Sequence, residues 1–464
     1  MSTRHPGQRQ FLRGRLSPQM EALGKPSILA AAAAAIIAIV IVNPYSVLNF
    51  VYYLIIWSAY IFAFHRDELP LFVKAFIVNS VFIGIFFIVQ TNVYPTSFGT
   101  TSQLSPLWTD DSFFFSLAAD SVPPGMEVRD YYFLYTEIYP SVIRAVTLLP
   151  INHPMDAIFF QSGIAALLST FSRRYALQVT QDLRVGNATY YLTMLCPFLM
   201  MNGGVILVRD TFAAALFIYS LSCINDRRWI LAMGAIALNF ALRPGTAIIL
   251  VPAYFILNLA GMWGVSKERA ALIGIALPIT ILAAVGFVVL FVDVSRYQNY
   301  LDYMSLGGRD FTSELTTDPS GNQILLSIQQ MSFGVKFILN GMYMFTYPFL
   351  SLNGAFGGFY FDLRSITMDF VFPIMAFWFN GWFVAGAITR IKVGDAHRMI
   401  VLAFAVTILI IGTYSLQSRH KTIAQPLYYL VAAIGLTRAR PGERQVGYAC
   451  SGALLLLEIA ISLR

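Results

Sequence analysis

The chain is dominated by apolar segments that recur along its whole length and are separated by short polar stretches. A segment of about 20 apolar residues is long enough to cross a bilayer as a helix. Inside the bilayer every backbone polar group must be satisfied within the protein, which favours helices. The sequence therefore predicts an all-α, polytopic integral membrane protein with about 13 transmembrane helices, within a range of roughly 11 to 14. The predicted spans are 27–43, 47–64, 71–90, 154–171, 187–206, 210–224, 229–242, 245–262, 270–292, 367–388, 398–415, 423–437 and 445–462.

The composition fits this class of protein and excludes others. Charged residues make up 12% of the 464 residues, which is about half of their share in soluble domains. Hydrophobic residues make up 57%, which excludes a disordered chain and a conventional soluble enzyme. The three cysteines lie in apolar runs, so no disulfide framework is predicted. The net charge of +7 is not gathered into one patch, so we expect no nucleic-acid partner.

The distribution of basic residues predicts the orientation of the chain. With a cytoplasmic N-terminus, about 20 of the 31 Lys and Arg residues fall on the cytoplasmic side, as the positive-inside rule requires. We divide the chain into a basic cytoplasmic tail, 1–26, and a single membrane-embedded domain, 27–464. Two long loops, 91–153 and 293–366, then lie on the extracytoplasmic face. Because function concentrates on long loops, we expect the site on that face.

The first long loop opens with two adjacent carboxylates, Asp110 and Asp111, followed by an aromatic, amphipathic stretch. A second amphipathic stretch covers 129–150. Both stretches are typical of helices that lie in the membrane interface. A carboxylate at this position can act as a general base, or the pair can contribute ligands to Mg²⁺ or Mn²⁺, although two ligands do not define a metal site. The alternative is an N-cap, which accounts for one aspartate and leaves the second unexplained.

Two arginines at the ends of spans are candidates for phosphate binding on the same face. Arg209 precedes the span that begins at Asp210, and Arg243 lies in an outer turn before Pro244. A guanidinium offers paired hydrogen bonds to a phosphate, and a charge at membrane depth is costly unless it has a function. The alternative at the first position is that Asp210 caps the helix while Arg209 extends to lipid headgroups.

A third candidate is the basic run Arg419, His420 and Lys421, which also falls on the outer face. Three consecutive basic or titratable groups oppose the positive-inside rule there. They predict a clamp for a phosphate leaving group. Binding of lipid headgroups is the structural alternative, and His420 is also a candidate base.

This layout resembles the membrane-embedded GT-C glycosyltransferases, with kinship to bacterial polysaccharide polymerases. The resemblance lies in the Asp-Asp pair at the head of the first long outer loop, the two amphipathic stretches and the outer arginines. It implies a multi-pass protein of a bacterial inner membrane that takes part in cell-envelope polysaccharide biosynthesis. It further implies a polyprenyl-phosphate or -diphosphate-linked sugar donor and a glycan, lipid or protein acceptor. Asp111 or Asp110 would be the catalytic base, and Arg209, Arg243, Arg419, His420 and Lys421 would bind the lipid phosphate.

Two alternatives to a GT-C transferase remain open on the sequence. One is an O-antigen or exopolysaccharide polymerase or ligase, which shares the outer arginines and the lipid diphosphate donor. The other is a flippase or transporter of a lipid-linked sugar, although transporters place charges near the middle of the membrane, where this chain has few. P-loop, His-Glu-x-x-His and Gly-x-Ser-x-Gly motifs are missing from the sequence. No cofactor is required by the residues, apart from the metal considered for the two aspartates.

Overall fold

The structure is a computed structural model, and it describes residues 18–93, 118, 134–200, 209–243, 250–257, 345, 366, 370–389, 394–414 and 418–462. Within these ranges the chain is helical, with turns between the helices and no strand, which confirms the predicted all-α class. Asp110, Asp111 and the first amphipathic stretch of the outer loop, apart from residue 118, lie outside the described residues. So does the loop 293–366, apart from residues 345 and 366.

Twelve helices are labelled here in chain order within those ranges. They are α1 (Pro18–Val42), α2 (Ser46–His65), α3 (Leu69–Val93), α4 (Leu134–Val146), α5 (Pro154–Thr180), α6 (Leu183–Leu195), α7 (Asp210–Asn225), α8 (Trp229–Leu242), α9 (Phe372–Ile388), α10 (Gly394–Tyr414), α11 (Gln425–Arg438) and α12 (Pro441–Ser462). Shorter helical turns are formed by Arg66–Glu68, Pro197–Met200 and Ser418–Ile423.

Most of these helices coincide with predicted spans, and two differ in an informative way. Helix α1 begins at Pro18, so it extends into the segment predicted as a polar tail. The predicted span 187–206 is divided, because α6 ends at Leu195 and a separate turn begins at Pro197. Proline disfavours helical backbone in the residue before it, and Cys196 is accordingly extended, with φ −69° and ψ 120°.

Helix α5 forms the centre of the bundle. It packs against α2, α3, α6, α7 and α11, and its most apolar window is entirely buried. Its buried aromatic residues Phe159, Phe160 and Phe171 contribute to the core, while the hydroxyls of Ser169 and Thr170 donate to carbonyl oxygens one turn earlier at 3.1 and 2.8 Å. These bonds satisfy polar groups that are costly to bury unpaired.

Helices α9, α11 and α12 pack closely through glycines. Gly386 of α9 faces Gly435 of α11, and a Cβ atom on either residue would overlap the backbone of the other helix. A Cβ atom on Gly447 of α12 would likewise overlap the carbonyl oxygen of Gly381 in α9. Small residues allow helix backbones to approach to this distance, so these glycines set the spacing of the three helices.

One end of the bundle is held together by buried and half-buried ion pairs, and we call it the Arg174 end. Arg174 of α5 pairs with Asp226, which follows α7, and its Nη1 lies 2.7 Å from Nδ1 of His65 at the end of α2. Arg438 at the end of α11 pairs with Asp182, which caps α6. The contacts therefore bring together the ends of α2, α7 and α11 and the start of α6.

The Arg173–Glu68 pair provides a test of this network. Arg173 Nη1 donates to both carboxylate oxygens of Glu68 at 2.8 Å, and both side chains are largely buried. We expect Glu68→Gln to lower the free energy of unfolding by about 2 kcal/mol, because the guanidinium would lose its countercharge in a desolvated position.

The neighbouring residue Asp67 is the matched control, since it is exposed in the same turn. Asp67→Asn should change the free energy of unfolding by less than about 0.5 kcal/mol. Denaturation of both variants in mixed micelles measures the difference. Equal stability of the two variants would contradict a stabilising role for the Arg173–Glu68 pair.

Candidate functional site

Arg209, Asp210 and Arg243 come together where α7 begins and α8 ends, and we call these three residues the Arg243 cluster. The carboxylate of Asp210 forms an ion pair with the guanidinium of Arg243. The Asp210 side chain is 1% exposed and that of Arg243 is 14% exposed. Arg209 Nη1 donates to the carbonyl oxygen of Leu242 at 3.3 Å. The structure thus brings two of the predicted phosphate-binding arginines into one cluster.

The local sequence explains how Arg243 reaches this position. Helix α8 ends at Leu242, and Arg243 has a non-helical backbone, with φ −154° and ψ 82°. Pro244 follows in the sequence and disfavours helical backbone in the residue before it. The guanidinium of Arg243 can therefore turn toward the start of the antiparallel helix α7, where Asp210 occupies the first helical position. A carboxylate in the first turn also interacts favourably with the helix dipole.

Asp210 is the residue of this cluster that the sequence interpretation missed. The sequence predicts Asp210 as a helix cap, but the N-cap position is taken by Arg209, and no side-chain capping bond is formed there. Asp210 instead neutralises part of the charge of Arg243 in a buried setting. A buried carboxylate is rarely tolerated without a partner. One sequence signal could have predicted this ion pair. An Asp stands beside an Arg at the start of an apolar run, and a second Arg lies in the next outer turn.

The Arg243 cluster is recessed below the rim of the bundle. Phe212, in the first turn of α7, packs against Phe160 and Tyr139, with ring centroids 6.0 and 6.4 Å apart. Phe160 lies six residues after Pro154, the first residue of α5, which corresponds to about 9 Å along the helix axis. Helix α7 therefore begins deeper in the bundle than α5 does. The Arg243 side chain at this position is accordingly only 14% exposed.

Lys421 lies at the same end of the bundle. The turn Ser418–Ile423 precedes α11, whose other end is held at the Arg174 end by Arg438. This turn packs against α7, and Lys421 is 3% exposed, with Nζ donating to the carbonyl oxygen of Phe345 at 2.7 Å. The backbone of Arg419 and His420 belongs to the same turn, and their side chains lie outside the described residues.

The end of the bundle that carries the Arg243 cluster and Lys421 is called the Arg243 end, and helix α4, which lies there, corresponds to the second predicted amphipathic stretch. It packs against α8, and the hydroxyl of buried Tyr139 donates to Gln161 of α5. The segment after α4 is tied to α2, where Tyr52 donates to the carbonyl oxygen of Val146 and Asn49 donates to that of Pro150 at 3.1 Å. These bonds hold α4 against α2 and α5, and the Tyr139 ring contacts Phe212 in the first turn of α7.

The loop from α4 to α5 ends in a capping box. His153 Nδ1 accepts from the amide of Met155 at 3.2 Å, and Asp156 Oδ2 accepts from the amide of His153 at 2.9 Å. Burial lowers the pKa of His153, which favours the neutral ring whose Nδ1 can accept this bond. This box anchors the start of α5 and explains His153 without a catalytic role.

The predicted catalytic pair Asp110 and Asp111 remains a prediction, because both residues lie outside the described ranges. Within the described ranges, no group of three or more His, Cys, Asp or Glu side chains is arranged to hold a metal ion. The metal considered for Asp110 and Asp111 therefore stays a sequence-based expectation. Comparisons of the chain with protein-family models, curated proteins and solved structures give no match.

Proposed function

We propose that the chain is a membrane-embedded glycosyltransferase of the GT-C type, which transfers a sugar from a polyprenyl-phosphate or -diphosphate donor to a glycan, lipid or protein acceptor. The observation that carries this proposal is the recessed Arg243 cluster, with Lys421 at the same end of the bundle. Three cationic side chains, Arg209, Arg243 and Lys421, and the carboxylate of Asp210 are therefore placed at one end of the bundle. A membrane-embedded cluster of this kind is suited to bind the phosphate group of a lipid.

Membrane insertion with about 13 spans is part of the proposal and is supported by the helices. Two helical stretches in the described ranges, Ser46–Val89 and Pro154–Thr180, have the length and hydropathy of a membrane span. The first contains 44 residues, too many for one crossing. It is interrupted at His65, with φ −147° and ψ 48°, so α2 and α3 are suited to cross separately.

Exposed apolar side chains also support membrane insertion. Leu48, Ile55 and Phe62 recur every seven residues on one face of α2, and they are 64%, 60% and 51% exposed. Soluble proteins rarely present such continuous apolar faces to water. Ile37 and Ile41 of α1 are 60% and 64% exposed in the same way. Lipid contact accounts for these two stripes, which have no packing partner within the described ranges.

The proposed orientation places the Arg174 end in the cytoplasm and the Arg243 end outside. The Arg174 end carries most of the described basic residues, as a cytoplasmic face should; these are Arg66, Lys74, Arg173, Arg174, Arg184, Arg227, Arg228, Arg438, Arg440 and Arg444. Lys421 and the two arginines of the Arg243 cluster then face the extracytoplasmic side. There they meet a donor whose phosphate lies at the level of the interface.

In the proposed reaction, the carboxylate of Asp111, or of Asp110, accepts a proton from the acceptor hydroxyl. The hydroxyl oxygen forms a bond to the anomeric carbon of the donor sugar, and the bond from that carbon to the phosphate oxygen breaks. The electron pair leaves with the polyprenyl phosphate. Arg209 and Arg243, with Lys421 and Arg419, stabilise the developing negative charge, and His420 completes the predicted phosphate-binding set.

Asp210 has a supporting part in this proposal, because it fixes the guanidinium of Arg243. A guanidinium carries five N–H donors in a planar fork, so pairing with a carboxylate and binding a phosphate are compatible. The ion pair also lowers the cost of keeping Arg243 in a poorly hydrated recess between donor-binding events.

Binding of undecaprenyl phosphate to the purified protein in nanodiscs tests the phosphate site. We expect Arg243→Gln to weaken binding by roughly 30-fold, because a charge-assisted contact to the phosphate is lost. Affinity can be measured by native mass spectrometry or by tryptophan quenching.

Two controls give this binding experiment its specificity. Arg184→Gln removes an exposed arginine at the Arg174 end and should leave the affinity unchanged. Undecaprenol, which lacks the phosphate, should bind weakly to the wild-type protein. Equal affinities for the phosphate and the alcohol, or an unchanged affinity of Arg243→Gln, would refute the assignment of the phosphate site.

A further inference from the structure

A small polar cavity lies at the break between α6 and the turn that follows it. Its wall includes Thr193 and Met194 of α6, Leu199 and Met200 of the following turn, and side chains from three other helices. The cavity has room for about one water molecule. The break ends the hydrogen-bond ladder of α6, so carbonyl groups of its last turn lack helical partners. In an apolar bundle these groups need another source of hydrogen bonds.

Four polar side chains from four helices line this cavity: Asn79 of α3, Ser169 of α5, Thr193 of α6 and Thr211 of α7. Each is at least nine-tenths buried. The Asn79 side chain is only 3% exposed, so its amide is removed from bulk solvent. A buried amide of this kind is expected to have a partner. The cavity supplies the space for that partner.

The hydroxyls of the wall define which partner fits. Ser169 donates its proton to the carbonyl oxygen of Ala165 at 3.1 Å, and Thr193 donates to that of Thr189 at 2.8 Å. Both oxygens therefore present lone pairs as acceptors, while the Asn79 amide can donate or accept. A molecule that both donates and accepts satisfies all three.

We infer that this cavity is a hydration site that holds one water molecule between α3, α5 and α6. The water donates to the oxygens of Ser169 and Thr193 and accepts from the Asn79 amide. A monovalent cation fits less well, because the described residues of the wall include no charged side chain. The nearest carboxylate along the chain, Asp210, is paired with Arg243. Thr211 connects the site to the first turn of α7, so the water also supports the element that carries the Arg243 cluster.

The test compares two threonines of the same helix. Thr193→Val removes an acceptor for the water, whereas Thr189→Val removes an equivalent buried hydroxyl, bonded at 2.9 Å to Val185, that does not line the cavity. In the full-length protein in nanodiscs, we expect the Tm of Thr193→Val to lie below that of Thr189→Val by about 2 °C or more. A cryo-EM map that resolves ordered water should show density within hydrogen-bond distance of Asn79 and Thr193.

The choice of salt distinguishes water from an ion. We expect the same Tm in sodium, potassium and choline chloride at equal concentration. A Tm that rises in sodium alone would overturn the hydration site in favour of a cation site. Equal Tm values for the two variants, together with a map without density in the cavity, would also overturn it. None of these outcomes depends on binding of undecaprenyl phosphate, so the inference and the proposed function fail or stand separately.

Discussion

Replacing Gly435 with alanine is expected to prevent α9 and α11 from packing as they do in the structure. A Cβ atom at this position would lie 2.7 Å from the backbone nitrogen of Gly386 and closer still to the carbonyl oxygen of Trp382. Both are backbone atoms, which cannot rotate away as a side chain can. Two rigid helices would have to separate, and we expect the free energy of unfolding to fall by at least about 3 kcal/mol.

Gly234 provides the matched control for this substitution. It lies on an exposed face of α8, and a Cβ atom there meets nothing within 4 Å. Gly234→Ala should raise the stability by about 0.5 to 1 kcal/mol, because alanine restricts the unfolded chain without a clash in the folded one. Size-exclusion profiles and unfolding in mixed micelles report both variants. A Gly435→Ala protein as stable as Gly234→Ala would show that the two helices are not in backbone contact.

Loss of the general base should abolish most of the proposed transfer activity. We expect Asp111→Asn to lower kcat by roughly 10² to 10⁴, because asparagine keeps the shape of the side chain but cannot accept the proton of the acceptor hydroxyl. The rate is measured with a polyprenyl-phosphate-linked sugar and an acceptor that the wild-type protein uses. Binding of undecaprenyl phosphate should persist in this variant, since the phosphate is assigned to the Arg243 cluster.

The variant Asp110→Asn tests whether Asp110 acts as the general base or as a helix cap. If Asp110 caps the helix that follows, asparagine preserves its function, because Asn and Asp are equally good at the N-cap. A large loss in Asp110→Asn with full activity in Asp111→Asn would assign the base to Asp110. Full activity in both variants would reject a carboxylate base from this pair, and with it the proposed mechanism.

Most helices could be predicted because their ends coincide with abrupt changes in polarity. The span predicted at 229–242 is the helix Trp229–Leu242, bounded by Arg228 and by Arg243 with Pro244. The span predicted at 187–206 was wrong as a single helix, because apolar character continues through the break at Cys196 and Pro197. Hydropathy records how apolar a segment is and is insensitive to a backbone interruption inside it.

The candidate site was predictable in part. Successive predicted spans run in opposite directions, which predicts one common face for Arg209, Arg243 and Lys421. The contacts of the helices that carry these residues agree with this prediction. The partnership of Asp210 with Arg243 was missed, because it depends on how α7 and α8 pair. The depth of the cluster was also missed, since it follows from how far along α5 the helix α7 begins. Such offsets arise from tertiary packing and leave no local pattern.

The central position of α5 has a consequence for how the protein is made. With a mean hydropathy of 1.2, its best window is much less apolar than that of Ser46–Val89, at 2.3. Polar side chains such as Gln161 and Thr170 suit a helix surrounded by protein but are unfavourable against lipid tails. During synthesis α2 and α3 emerge before α5, α6 and α7 follow it, and α11 arrives last. The ribosome therefore delivers the core helix when only part of its surroundings exists, and under the proposed membrane insertion its retention near the insertion machinery until α7 docks would protect the nascent chain.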